Sequence, residues 1–210
     1  MAELLDLARI EAGKQELAPR DISLRAIAER VVSLLARRAE ERALELVIDI
    51  SPQLRIYSDE KALDQILGNL VVNAVKYSDR PGSVWIRAYV DETPYQKPAL
   101  VDAVYDSAPM LPQSGKGMDD VQHTRELGRH LVVSVEDEGP GIPKPAQSRI
   151  FERFYRVDAG RSREVGGTGL GLSIVKHLAQ LLGGHAGVEA RNPRGSRFYF
   201  VIPLKDEEPR

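Results

Sequence analysis

Residues 59–77 constrain the fold of this chain more than any other stretch, because their sequence has the period of an amphipathic helix. One side of the predicted helix is apolar and is expected to pack against a core; it carries Leu63, Ile66, Leu67, Leu70, Ala74 and Tyr77. The opposite side is a narrow polar stripe of Gln65, Asn69, Asn73 and Lys76. An amide oxygen is a suitable ligand for Mg²⁺, and a lysine ammonium group binds phosphate oxygens. The stripe therefore indicates a site for a nucleotide and a metal ion.

The composition argues against several other classes of function. A net charge of −2 gives no reason to expect a nucleic-acid or membrane-surface partner. The lack of cysteine excludes disulfides and thiolate zinc sites. No apolar run approaches the ~18 residues that a membrane-spanning helix needs, and the acidic start is unlike a signal peptide. We therefore expect a cytoplasmic location without membrane contact for this chain, whether or not the full-length protein is anchored in a membrane.

The remaining sequence alternates between helical and strand patterns. A helix capped by Ser23 is predicted to run to about Ala43, with a buried side formed by Ile27, Val31, Leu34 and Leu35. Strands at 46–50 and 54–57 are predicted to be joined by a tight turn at Ser51-Pro52. Further strands are expected at 83–90, 131–136, 185–190 and 196–202, and a helix at 169–182. This order, with hairpins present, predicts an α+β fold in two layers.

A second candidate site segment follows the strand at 131–136. Asp137 is placed at the strand end, and Gly139 and Gly141 allow the backbone to bend and approach a ligand closely. A carboxylate in this position can accept a hydrogen bond from the amino group of a base such as adenine. An ordinary β-turn would explain the two glycines equally well.

A third segment is rich in glycine and opens the helix predicted at 169–182. Gly166, Gly167, Gly169 and Gly171 leave backbone amides accessible at the positive end of the helix dipole, which favours phosphate binding. The segment matches neither a P-loop nor a dinucleotide fingerprint. A flexible hinge before a helix is the alternative interpretation.

A fourth segment, residues 149–160, combines aromatic and basic side chains in an otherwise irregular region. Phe151, Phe154 and Tyr155 alternate with Arg149, Arg153 and Arg156. Aromatic anchors with arginines that reach for phosphate would form a lid over a ligand. The alternative is an aromatic cluster that only fixes a loop to the core.

These four segments together resemble the N, G1, F and G2 boxes of sensor histidine kinases. The resemblance is carried by Asn69-x-x-x-Asn73-x-x-Lys76-Tyr77, Asp137-x-Gly139-x-Gly141, Phe151-x-x-Phe154 and Gly167-x-Gly169-x-Gly171. It implies a Bergerat-type ATP-binding fold, an α/β sandwich in which a mixed, mostly antiparallel sheet of about five strands packs on three helices. It also implies domain bounds: the end of a dimerisation and phosphoacceptor hairpin at 1–17, a catalytic domain at 18–205, and a tail at 206–210. Within the catalytic domain, residues 91–129 look like an insertion and 138–168 like a long ATP lid.

The same resemblance implies the roles of individual residues towards ATP and Mg²⁺. Asn73 would be the metal ligand, and Asn69, Lys76 and Arg156 would act on the metal and phosphates as catalytic residues. Tyr77, Asp137, Gly139 and Gly141 would form the adenine pocket. The remaining members of the implied cofactor-binding set are Arg153, Phe154, Gly167, Thr168, Gly169, Leu170 and Gly171.

Asn69 bears on the type of reaction. Related ATPases such as DNA gyrase carry a glutamate at this place, which activates the attacking water. An amide cannot take a proton, so Asn69 favours transfer to a protein nucleophile over hydrolysis. The alternative is that Asn69 only makes hydrogen bonds within its own helix.

The resemblance implies an enzyme that transfers the γ-phosphoryl group of ATP to a histidine, for relay to a response regulator. The acceptor would lie on the hairpin, which forms a homodimer in the full-length protein. The four histidines of this chain lack the family's acceptor setting, so we expect no autophosphorylation of the chain alone; they are His123, His130, His177 and His185. Three alternatives stay open: a related ATP hydrolase, a serine kinase that sequesters a sigma factor, and a module that binds nucleotide only as a switch.

Overall fold

The computed structural model describes residues 16–93, 128–157 and 168–204. In these ranges the chain forms strands and helices that we number in chain order. The strands are β1 (Pro19–Ser23), β2 (Leu44–Ile50), β3 (Arg55–Asp59), β4 (Gly82–Asp91), β5 (His130–Glu136), β6 (His185–Ala190) and β7 (Ser196–Pro203). The helices are α1 (Leu24–Glu40), α2 (Glu60–Tyr77), α3 (Lys144–Gln147) and α4 (Gly171–Leu181).

The main sheet has five strands in the order β2-β4-β5-β7-β6. Strands β2 and β4 are parallel, and every other pair in this sheet is antiparallel. Alternate residues of the central strand β5, among them Leu131, Val133 and Val135, are fully buried in one core with side chains of α1, α2 and α4. The predicted α+β sandwich, with a mostly antiparallel five-stranded sheet on three main helices, is confirmed.

A second, smaller sheet pairs β1 with β3 in antiparallel register, with Pro19 opposite Asp59. Two sequence predictions are wrong here. Pro19 in the sequence predicts a break before the first helix, but the segment is a strand, because proline is tolerated at the first residue of an edge strand. The strands predicted at 46–50 and 54–57 do not pair with each other. The turn between them closes, with the Leu54 amide 3.1 Å from the Ser51 carbonyl, yet β2 joins the main sheet and β3 the small one.

Helix boundaries follow local chemistry. The Ser23 hydroxyl accepts a hydrogen bond from the Ala26 amide at 3.4 Å, so the predicted cap of α1 is confirmed. Helix α4 begins at Gly171, two residues later than predicted, because Gly169 has a φ of +75° and cannot be helical. The segment 138–168, which resembles an ATP lid, contains the short helix α3.

Two residues that the helical pattern assigned to buried sides are exposed. Leu34 is 77% exposed, because it lies 100° around α1 from Leu35, which with Ile27 and Val31 forms the buried side. Tyr77 is 45% exposed, because it is the last residue of α2, where the helix leaves the core. The other five residues assigned to the apolar side of α2 are buried, as predicted.

Several predictions concern residues outside the described ranges and are not tested. They are the hairpin end at 1–17 except for its last two residues, the tail at 206–210, and most of the insertion at 91–129. Asp91, which begins the predicted insertion, belongs to β4.

We expect replacement of Leu70 by alanine to lower the free energy of unfolding by about 2–5 kcal/mol, because Leu70 is completely buried in the middle of α2. Leu34→Ala is the matched control and should change it by less than about 0.5 kcal/mol. Both values can be measured by urea denaturation. Equal losses for the two variants would contradict the assignment of the core.

Candidate functional site

The polar stripe of α2 remains accessible while the opposite side of the helix is buried. Asn69, Asn73 and Lys76 are partly exposed, as the sequence predicted, and the Lys76 ammonium lies 4.7 Å from the centre of the Tyr77 ring. The end of α2 is fixed from outside by Arg42, whose guanidinium donates to the carbonyls of Lys76 at 3.0 Å and Ser78 at 3.3 Å. These two hydrogen bonds therefore fix the end of the helix that carries the stripe.

The glycine loop before α4 meets this stripe directly. A methyl group at Gly171 would lie only 3.1 Å from the side-chain oxygen Oδ1 of Asn69. Because Gly171 is the first residue of α4, the amide of Asn69 lies next to the N-terminus of that helix. The structure thus brings together two segments separated by about a hundred residues in the sequence, as the sequence predicted.

The loop also contacts the predicted lid at Phe154. The Phe154 amide donates to the Gly169 carbonyl at 3.0 Å, and a methyl group at Gly169 would lie 2.9 Å from the Cα atom of Phe154. The φ of +75° at Gly169 and this close approach both require glycine. Thr168 supports the turn, since its hydroxyl accepts a hydrogen bond from the Leu170 amide at 3.2 Å.

The aromatic residues of the lid segment separate into two groups. Phe151 is buried in the core, so for this residue the interpretation as a core anchor is confirmed. Phe154 is 61% exposed with a φ of +60°, and Arg153 is exposed beside it. Roles of Phe154, Arg153 and Arg156 towards a ligand stay predictions, and Gly167 lies outside the described residues.

Asp137 lies at the end of β5 and is 3% exposed. Its Oδ1 atom accepts hydrogen bonds from the Gly139 amide at 2.8 Å and the Ser196 amide at 3.4 Å. Burial raises the pKa of this carboxyl group above its usual range, although the two amide hydrogen bonds and the charge of Arg191 oppose that effect. Both of these hydrogen bonds are accepted by the same oxygen atom, Oδ1.

The turn after Asp137 packs on the end of α2. A methyl group at Gly139 would lie 2.6 Å from the Tyr77 carbonyl, so only glycine fits at this contact. Gly141 has a φ of +76°, which also favours glycine. Asp137, Gly139 and Tyr77 are therefore brought together at one end of the stripe, as predicted.

Sequence reasoning missed Gly195, which completes this end of the site. Gly195 has a φ of +107°, and any side chain there would overlap the Asp137 carbonyl. The turn signal Asn192-Pro193-Arg194-Gly195 could have been found between the last two strands. Its contact with Asp137 could not, because it depends on the pairing of β5 with β7.

Sequence reasoning also missed Lys176, a buried cation on α4 that is 7% exposed. Burial lowers the pKa of its ammonium group to about 8, and the nearby negative charge of Glu152 opposes this shift. Lys176 of α4 therefore interacts electrostatically, through Glu152, with the turn that carries Phe151 and Phe154.

Neither a metal cluster nor a membrane span is found in the described ranges. These ranges contain no group of three histidine, cysteine, aspartate or glutamate side chains placed to hold a metal ion. Nor does any helix in them have the length and apolar character needed to cross a bilayer.

Comparisons with known proteins show which family the chain resembles. The model of the family described as histidine kinase-, DNA gyrase B-, and HSP90-like ATPase matches residues 58–206. Probable histidine kinase 5 of Oryza sativa subsp. japonica is 34% identical over 97% of this chain and 19% of its own length. The circadian input-output histidine kinase CikA of Synechococcus elongatus is 32% identical over 99% of this chain and 24% of its own length.

A solved structure supports the same assignment. Full-length ShkA in complex with AMPPNP superposes with a TM-score of 0.71 and 28% identity, covering 96% of this chain and 34% of that one. The chain therefore belongs to the family of histidine kinase-, DNA gyrase B- and HSP90-like ATPases. Within it, the chain is an ATP-binding catalytic domain of the histidine kinase type. It spans only about a fifth to a quarter of the length of the two relatives described above.

We expect Asp137→Asn to weaken binding of an ATP analogue by about tenfold or more, because a hydrogen bond to a charged acceptor contributes about 1.5–3 kcal/mol. The same change should raise the free energy of unfolding at pH 7. Burial raises the pKa of Asp137 in the folded state, so its ionisation destabilises the native protein at neutral pH.

That gain in stability should shrink as the pH falls towards the usual pKa range of an aspartate, and it should vanish below that range, where the carboxyl group is protonated in both states. Calorimetric titration and urea denaturation at pH 4 and pH 7 measure the two effects. Parent-like binding by the variant would contradict the placement of the adenine pocket.

Proposed function

We propose that this chain is the part of a sensor histidine kinase that binds ATP·Mg²⁺ and transfers the γ-phosphoryl group to a histidine of a phosphoacceptor hairpin. The phosphoryl group then passes to an aspartate of a response regulator. The observation that carries the proposal is the 3.1 Å approach between Asn69 Oδ1 and the methyl position of Gly171. It unites an amide-bearing helix with a glycine-opened helix N-terminus in an accessible site.

The phosphate end of the site is formed by α4 and α2. The amides around Gly169 and Gly171 and the positive end of the α4 dipole favour an anion, while Lys76 adds a full charge from α2. Asn73 follows Asn69 by one helical turn and supplies a hard oxygen ligand for Mg²⁺. This donor set fits a magnesium ion that is held mainly by phosphates and water. When bound, the ion neutralises charge that develops on the phosphates.

The adenine end is formed by Asp137, Gly139 and Tyr77. The buried carboxylate of Asp137 is held in place by two backbone amides, so it can accept a hydrogen bond from the adenine amino group without reorganising. Gly139 allows the backbone to lie against the end of α2, where the Tyr77 ring is half-exposed. AMPPNP, which the structure of ShkA contains, is an analogue of ATP and is consistent with this assignment.

Transfer is favoured over hydrolysis by the residue at the centre of the site. Asn69 lies beside Gly171 and cannot act as a general base towards water. The chain's residues would therefore position the phosphates and stabilise charge, which supplies most of the rate of phosphoryl transfer. The attacking group would be the imidazole of the hairpin. We assign residues 1–17 to the end of that hairpin and the cytoplasm as the location.

The decisive experiment mixes the chain with ATP·Mg²⁺ and a phosphoacceptor hairpin taken from the full-length protein. We expect acid-labile phosphohistidine on the hairpin and none on this chain alone, because its four histidines lack the acceptor setting. Free phosphate without labelled hairpin would instead favour an ATP hydrolase. Binding without either product would favour a nucleotide-dependent switch.

We expect Asn73→Ala to weaken magnesium-dependent binding of an ATP analogue by about tenfold, and binding in the presence of EDTA much less. The reason is that only the metal-bound state uses the Asn73 oxygen. Gln65→Ala is the matched control, since Gln65 lies on the same stripe one turn before Asn69 and should bind like the parent. Equal losses with and without magnesium would contradict the assignment of Asn73 as the metal ligand.

A further inference from the structure

One carboxylate joins the start of the domain to the helix that carries the nucleotide site. Asp59 is the N-cap of α2, and its Oδ1 atom accepts a hydrogen bond from the Ala62 amide at 2.7 Å. Its Oδ2 atom accepts a second hydrogen bond, from the Ala18 amide at 2.8 Å. Ala18 is 41 positions earlier in the chain and directly precedes β1, whereas Ala62 lies in the first turn of α2. Asp59 is 5% exposed; its hydrogen bond to Ala62 is buried, and that to Ala18 is partly buried.

The surrounding contacts hold the same two elements together. Strand β1 pairs with β3 over five residues and belongs to the small sheet, not to the main one. Glu60, the first residue of α2, forms ion pairs with Arg20 of β1 and with Arg30 of α1. The segment that enters the domain is thus attached to the N-terminus of α2 more directly than to the main sheet.

The helix can transmit a displacement at this end. Asn69 lies ten residues after Asp59, about 15 Å along the axis, and a buried helix moves as a rigid body over that length. At the far end, Arg42 holds the carbonyls of Lys76 and Ser78. A shift of the entering segment would therefore tilt or translate the stripe relative to Gly171.

We propose that Asp59 is a positioning residue that couples the segment entering the domain to the nucleotide site through its two backbone hydrogen bonds. This inference rests on the proposed function, since it takes α2 to be the nucleotide-binding helix. Because coupling is reciprocal, bound nucleotide stabilises the Ala18–Asp59 hydrogen bond as much as that bond favours nucleotide binding. A change in the direction of the segment that leads into β1 would thereby change the affinity of the phosphate site for nucleotide.

The Ala18 amide donor and the Asp59 carboxylate acceptor can be removed separately in the full chain. Ala18→Pro deletes the amide donor but leaves the Ala62 cap intact, and the exposed position before Pro19 already favours an extended backbone. Asp59→Asn keeps an acceptor for the cap and places an NH₂ group opposite the Ala18 amide. Should Asp59→Asn fail to fold, Asp59→Ser retains a good cap and is too short to reach Ala18.

We expect each single variant to weaken binding of AMPPNP·Mg²⁺ by at least about threefold. The double variant should have the same affinity as the single variant that binds less tightly, because both changes remove the same interaction. Glu16→Pro and Asp64→Asn are the controls and should bind like the parent. Glu16 is exposed two residues before Ala18, and Asp64 pairs only at the surface with Arg30. Affinities are measured by calorimetry at a temperature where melting curves show every variant folded.

The outcomes distinguish this inference from the proposed function. If Ala18→Pro binds like Glu16→Pro, or if the two single effects add in the double variant, the coupling role of Asp59 is wrong while nucleotide binding stands. If the parent chain binds no AMPPNP, the proposed function fails and the inference falls with it. Loss of stability without loss of affinity would make Asp59 a structural cap only.

Discussion

The arrangement of the whole molecule depends on the burial of one side of α2. Leu63, Ile66, Leu67 and Leu70 are inaccessible to solvent and hold the helix between the main sheet and the neighbouring helices. Burial of such side chains stabilises the native state by roughly 1.5–3 kcal/mol each. Because the apolar side faces inwards, the polar stripe faces outwards. The packing of α4 beside α2 then places Gly171 against Asn69 of the stripe.

Glycine then decides how closely the other segments approach this helix. Gly139 packs against the last carbonyl of α2, and Gly171 against the amide of Asn69. A side chain at either place would push a turn of the candidate site away from the helix. Asp137 shows the corresponding cost, because the burial that accompanies its place in the proposed adenine pocket also raises its pKa and makes its ionised form less stable. Binding and stability thus oppose each other at this residue.

Much of the site could be predicted from local sequence. The period of 59–77 identified α2 and its two sides, and the glycine patterns identified both turns. The errors occurred where contacts between distant segments decided the outcome. Leu34 fits a helical apolar side but lies beyond the reach of the sheet, and the strands around Ser51 look like a hairpin but pair with different partners. Their actual partners, β4 for β2 and β1 for β3, are distant in the chain and cannot be read from the local pattern.

The contacts of Asp59 and Gly195 show the same division. Each could be recognised as a cap or as a turn residue, because a cap and a turn depend only on neighbours within a few positions. Their second contacts, with Ala18 and with Asp137, could not be recognised from the sequence.

By itself, the sequence determined the elements, the residue types of the site and their resemblance to a family of ATP-binding kinases. Only the tertiary structure decided that Asn69 lies against Gly171, that Asp137 meets the end of α2, and that the entering segment is attached to the helix cap. The physical reason is that local patterns specify helices, turns and buried sides, whereas strand pairing and packing bring together residues that are far apart in the chain.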